Sequence, residues 1–123
     1  MPLDLENRRV TVLVNIGGNE IEVYAEMPDN DEILQYRRDL VGKKGRLDPA
    51  HITKAQIKWG LRKMVGIREG DILVGGKPLE VDPEGRWKEV VREKGAVIAQ
   101  AVAQALFETP QAEIVEEEDP LAA

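Results

Sequence analysis

A chain of 123 residues is the size of one ordinary domain and can bury enough surface to fold without metal or disulfide staples. The absence of cysteine excludes disulfides, thiolate metal sites, iron–sulfur clusters and a cysteine nucleophile. Net charge is −6, and no apolar run approaches the roughly 18 residues of a membrane span. The acidic start Met1-Pro2-Leu3-Asp4-Leu5-Glu6 lacks the basic-then-apolar pattern of a secretory signal, so the cytoplasm is the expected compartment.

The charge is unevenly spread. Residues 1–36 carry eight acids and two bases, residues 43–68 carry eight bases and one acid (Asp48), and residues 108–123 carry six acids and no base. Such asymmetry suggests a basic surface that meets something acidic, or a solvated helix face.

In chain order, the first predicted element is a β-hairpin. Val10, Val12, Val14 and Ile16 alternate on one strand, and Ile21, Val23, Ala25 and Met27 on the next. A two-residue turn at Gly18-Asn19 would pair Ile16 with Ile21 and Val14 with Val23, placing every apolar residue on one face. After Met27-Pro28, Asp29 or Asp31 can cap a helix, with Glu32 completing a capping box. Ile33, Leu34, Tyr36, Leu40 and Val41 supply its apolar stripe, and Gly42 is a natural stop. Lys43-Lys44-Gly45-Arg46 is a basic loop. Asp48-Pro49 opens a second helix, predicted to run to about Val65 and stop at Gly66. This helix has two apolar faces, one of Ile52, Ala55 and Trp59, the other of Ile57, Leu61, Met64 and Val65. Lys54, Lys58 and Arg62 fill a strip between them.

Beyond Ile67, Ile72-Leu73-Val74, Gly75-Gly76 and Pro78-Leu79-Glu80-Val81 predict a second small hairpin, confined to an edge by Pro78. Asp82-Pro83 repeats the cap-plus-proline signal. A helix bearing Trp87, Val90 and Val91 follows, with a break or bend at Gly95. Val97, Ile98, Ala101, Val102, Ala105 and Leu106 continue at helical spacing as far as Thr109-Pro110. The fold class is α+β, an N-terminal β-hairpin packed on a small bundle of three to four helices. Residues 1–108 form a single domain, and 109–123 an acidic tail expected to be disordered in isolation.

A catalytic constellation is not evident, and the expectation is a protein that is not an enzyme and uses no cofactor or metal. His51 is the only histidine and lies in the first turn of the second helix, where Asp48 is already wanted as the cap and Thr53 is the only local hydroxyl. The carboxylates Glu20, Glu22 and Glu26 lack the spacing of a calcium loop, as do Glu116 to Asp119. Gly75-Gly76-Lys77-Pro78 lacks the upstream glycine and following hydroxyl residue of a phosphate loop. Trp59 and Trp87 fit core positions better than an interface. Lys54, Lys58 and Arg62 are the candidate phosphate-binding residues, but an acidic chain and a helix with two apolar sides make nucleic acid the less favoured partner.

The order of features resembles tail assembly chaperones of long-tailed bacteriophages and prophages. The resemblance is carried by the N-terminal hairpin, by Met27-Pro28-Asp29-Asn30-Asp31-Glu32-Ile33, by Leu61-Arg62-Lys63-Met64-Val65-Gly66-Ile67, and by Gly75-Gly76-Lys77-Pro78-Leu79-Glu80-Val81 before the closing helices. It spans residues 8–108; Ile67 stands where such proteins often carry tryptophan. The resemblance implies a non-enzymatic role in the bacterial host's cytoplasm, holding a helical tape-measure protein soluble and helping to recruit tail-tube subunits. It also leaves room for a homo-oligomer. Candidate partner-binding residues are then Ile57, Leu61 and Met64 on the central helix and Val97, Ile98, Val102 and Leu106 on the last. The alternative is that these faces cover each other.

Overall fold

The computed structural model describes residues 8–42 and 45–108. The basic pair Lys43-Lys44 and the acidic tail 109–123, with its expected disorder, lie outside the described residues. The fold is α+β: an antiparallel three-stranded sheet, a two-stranded ribbon and four helices.

Strands β1 (Arg9–Ile16) and β2 (Asn19–Glu26) form the expected hairpin, but the turn falls at Gly17-Gly18 instead of Gly18-Asn19. Both glycines have positive φ, 59° and 82°, the pair of angles that a twist-matched two-residue turn requires. Val14 therefore pairs with Ile21 and Val12 with Val23. The partner of each residue moves by two, so every side chain stays on its expected face. Ile21, Val23 and Ala25 of β2 are buried, whereas Val10, Val12 and Ile16 of β1 are only half-buried.

Helix α1 (Asn30–Asp39) starts at the capping box of Asp29 and Glu32, each side chain accepting from the other's backbone N–H. Helix α2 (Pro49–Lys63) starts at Asp48, whose carboxylate accepts from the Ala50 N–H at 2.8 Å. Its predicted end is corrected. The helix stops at Lys63, and β3 (Met64–Ile67) pairs antiparallel with β2, making the sheet order β1-β2-β3. A register shift between Tyr24 and Ala25 accommodates the join. Pairing wins because Met64 and Ile67, short of partners on an isolated helix end, reach the main core as a strand.

The small ribbon β4 (Leu73–Val74) and β5 (Lys77–Pro78) turns at Gly75-Gly76, again with positive φ at both residues. Asp82 does not cap the next helix directly. Its carboxylate accepts from the Arg86 and Trp87 N–H groups across a turn, and α3 (Arg86–Lys94) begins after Gly85. Gly95 separates α3 from α4 (Ala96–Ala103), which continues as a π-helical turn, Gln104–Glu108.

The element covered on both sides is α4. Ile98, Ala99 and Val102, with Leu106 of the π turn, join Val14, Val23, Met64, Trp87 and Val91 in the main core beneath the sheet. Ala103 belongs to a second cluster with Tyr36, Ala55 and Trp59. Phe107 stacks on Tyr36 at 4.4 Å and meets Trp59 edge-on at 5.7 Å. Where α2 crosses α4, Gly60 lies directly against the Ala99 carbonyl. Trp59 and Trp87 are both core residues, as expected. Among the described residues no helix is long and apolar enough to cross a membrane.

Candidate functional site

An apolar groove of about 660 Å³ opens between the main hairpin, the ribbon and the α3–α4 junction. Its floor is Ile21, Val91 and Ile98; its walls are the end of the main hairpin at Ile16, the ribbon residues Ile72 and Leu73, and Val97 at the start of α4. Leu73 and Val97 are large apolar side chains left 57% and 52% exposed, and both border this groove. Among the described residues, the charged side chains along it are Asp71 and Lys94.

Asp71 has a structural task. One carboxylate oxygen accepts from the Glu22 N–H at 2.8 Å, and the other from Arg68 Nε at 3.0 Å. It thus takes the place of a missing ladder partner beside β3 and ties the ribbon to β2. The Glu22 N–H, then the Arg68 guanidinium, hold its carboxyl below the usual carboxylate range. Arg68 reaches on to Glu22 at 3.4 Å, and its own N–H donates to the Glu22 carbonyl. These contacts fix one groove wall in position.

The predicted partner-binding residues separate. Met64, Val102, Ile98 and Leu106 are all buried in the main core, and Met64, Val102 and Leu106 lie outside the groove lining. Ile98 contributes only to the groove floor. Ile57 and Leu61 are half-buried, Leu61 packing on the main core. Val97 alone among the seven is exposed, and it stands on the groove rim. Sequence reasoning missed Leu73 and Ile16 as its companions; the short apolar run before Gly75-Gly76 was the available signal.

The basic strip is partly engaged within the fold. Lys58 pairs with Asp39 at 3.0 Å, and the Arg62 guanidinium lies over the Trp59 ring at 4.4 Å. Lys54 is exposed. Asp39 also accepts from the Trp59 indole N–H at 2.8 Å. Burial pushes the Asp39 carboxyl up, but Trp59 and Lys58 together bring it below its ordinary value. The neighbouring Lys63, buried at the end of α2, forms an ion pair with Glu32 at 2.9 Å. Lys58 of the strip and the neighbouring Lys63 therefore clamp α1 onto α2.

Other polar groups are likewise engaged. His51 Nδ1 lies 3.5 Å from the Asp48 carboxylate, and both side chains are about half exposed. Tyr36 and Gln56 donate to Glu108, and Gln100 donates to Gln56. Burial, then the Glu108 carboxylate, push the Tyr36 phenol far above its usual pKa. Among the described residues no group of three or more histidines and carboxylates is placed to hold a metal ion. Comparison with protein-family models, curated proteins and solved structures found no match.

Proposed function

We propose that this chain is a non-catalytic protein-binding module that takes the apolar face of a partner helix into the groove between the main hairpin, the β4-β5 ribbon and the α3–α4 junction. The observation that carries this reading is the groove itself, with Leu73 and Val97 exposed at its rim over an apolar floor. An amphipathic helix offers apolar side chains three and four residues apart on one face, which suits a concave apolar surface. Burying the exposed halves of two such side chains contributes about 1 kcal/mol each. A tail assembly chaperone that holds a helical tape-measure protein is the finer form of this proposal, and it rests on the sequence resemblance alone. The basic strip supports a nucleic-acid partner less well, because Asp39 sits within it and Trp59 takes up the Arg62 face.

The test uses a fluorescent amphipathic helical peptide with apolar anchors, titrated by anisotropy. Leu73→Asp and Val97→Asp together should weaken binding by about tenfold or more, given those two contributions. Their melting curves should stay close to the parent's. Lys54→Glu should leave the peptide affinity unchanged. Peptide binding indifferent to the groove variants would sink the proposal, as would nucleic-acid binding that falls steeply with salt and depends on Lys54.

A further inference from the structure

The two edges of the main sheet are treated differently. The β3 edge is short, shifts register against β2, and is flanked by Lys63 and Arg68, features that discourage further pairing. The β1 edge is longer and its register unbroken, with its cations, Arg8 and Arg9, confined to its start. Val10 to Ile16 is a run of seven residues with no charge and no proline, fully in register with β2. Since Ile16 and Asn19 flank the two-residue turn, the even-numbered residues of β1 direct their N–H and C=O groups at β2. The Met27 N–H donating to the Arg8 carbonyl continues that alternation. Thr11, Leu13 and Asn15 therefore direct theirs outward, with no partner strand among the described residues. Both faces at this edge are also incompletely covered. Leu13 is 58% exposed on the outer face, and Val10, Val12 and Ile16 are only half-buried on the inner one.

We infer that β1 is a self-association edge, where a second copy of this chain adds its own β1 antiparallel about a two-fold axis through Leu13. With Leu13 opposite its counterpart, Thr11 faces Asn15 of the second copy, and the outward N–H and C=O groups meet in hydrogen-bonded pairs. On the inner face Val12 meets Val14, and Val10 meets Ile16, so the half-buried valines gain apolar neighbours. A second copy suits this edge on charge. The monomer is acidic overall, yet residue by residue this pairing sets no charge opposite another between Val10 and Ile16. The acids Glu20, Glu22 and Glu26 lie one strand further away, on β2. The product is a continuous six-stranded sheet, two copies of the three-stranded one. Strand pairing of this length is at the small end of specific interfaces, so the dimer should be weak and concentration-dependent. This inference does not rest on the groove reading: Leu13 lies on the opposite face of the sheet, and the two surfaces meet only at Ile16.

Sedimentation of the full chain from micromolar to millimolar concentration should show a monomer–dimer equilibrium. Leu13→Lys should weaken it by about tenfold or more, since like charges directly opposite on paired strands repel. The melting temperature should be unchanged, because Leu13 faces solvent in the monomer. Leu13→Cys provides a second reading in a chain with no other cysteine. Directly opposed residues of a hydrogen-bonded pair stand about 5.5 Å apart at Cα, within reach of a disulfide. Mild oxidation should cross-link Leu13→Cys rapidly and Thr53→Cys, on the exposed face of α2, slowly. A chain that stays monomeric throughout, as when its own terminal segment covers β1, overturns the inference. So does a dimer that survives Leu13→Lys but is lost with Val97→Asp, which would place the contact at the groove.

Discussion

At Gly60 the backbone of α2 lies so near α4 that an added Cβ would stand 1.9 Å from the Ala99 carbonyl oxygen. No side-chain rotation relieves a clash with a carbonyl; the helices must separate. Gly60→Ala should destabilise the fold by about 3 kcal/mol, the upper part of the range for overpacking, despite the better helix propensity of alanine. At Gly66 an added Cβ would meet only the Tyr24 ring, at an ordinary 3.5 Å. Gly66→Ala should therefore change stability by less than about 1 kcal/mol. Urea denaturation of the two variants checks both values, and equal losses would contradict this account of the α2–α4 crossing. Asp71 gives a pH prediction. Its folded pKa is depressed, so its stabilising contribution is present above the unfolded value of about 3.9 and is lost as pH falls through the folded one. The stability gap between the parent and Asp71→Asn should be full near neutrality and close as the solution is acidified below about pH 4. Denaturation midpoints measured along a pH series decide it; a gap that widens in acid would reverse the assignment.

The elements show the same sheet covered unequally. β2 is central, and its inward residues are sealed by the helices, Val23 being fully buried. β1 is an edge, and its Val12 is half-buried. Val23→Asp should prevent stable folding, because a fully buried unpaired carboxylate costs several kcal/mol. Val12→Asp should leave a folded protein of lowered melting temperature. Circular dichroism on both variants makes the comparison, and equal damage would mean that the helices cover β1 as fully as β2. The junction of α2 and β3 has the same origin. Local periodicity through Leu61 and Met64 favours a continuing helix, but an open edge of β2 stands nearby to accept a strand. Residues that pair there satisfy their backbone groups and bury Met64 and Ile67 together.

For the whole molecule, the groove and Leu13 at the centre of the β1 edge lie on opposite faces of one sheet, and the two surfaces meet only at Ile16. Variants at distant sites with no shared partner act independently, within a few tenths of a kcal/mol. Leu13→Lys should accordingly keep the parent's affinity for the helical peptide within about twofold while losing the dimer. Anisotropy and sedimentation on the same preparation would show this. Loss of both properties together would mean that the groove is completed only in the dimer.

The α+β class, the hairpin with its apolar face, the caps at Asp29 and Asp48, the break at Gly95 and the turn at Gly75-Gly76 all follow from local chemistry written in the sequence. Periodicity of two or about 3.6, a carboxylate placed to accept a free N–H, and glycines able to take positive φ act over a few residues, so they can be read without the fold. Even the misplaced main turn kept every side chain on its face, because alternation fixes the face and only the turn chemistry fixes the register. Tertiary structure decided which apolar faces are interior. Ile98, Val102 and Leu106 form a stripe as apolar as any binding surface, and only the packing of the sheet and α3 against it makes them core. Lys58 and Arg62 read as a phosphate strip until Asp39 and Trp59 are seen beside them. The groove combines Ile16, Leu73 and Val97 from three distant stretches of chain, and its concavity exists only once the hairpin, the ribbon and α4 are packed together. Burial and concavity are properties of long-range contacts, and a sequence states which residues can be buried without stating which neighbours will bury them.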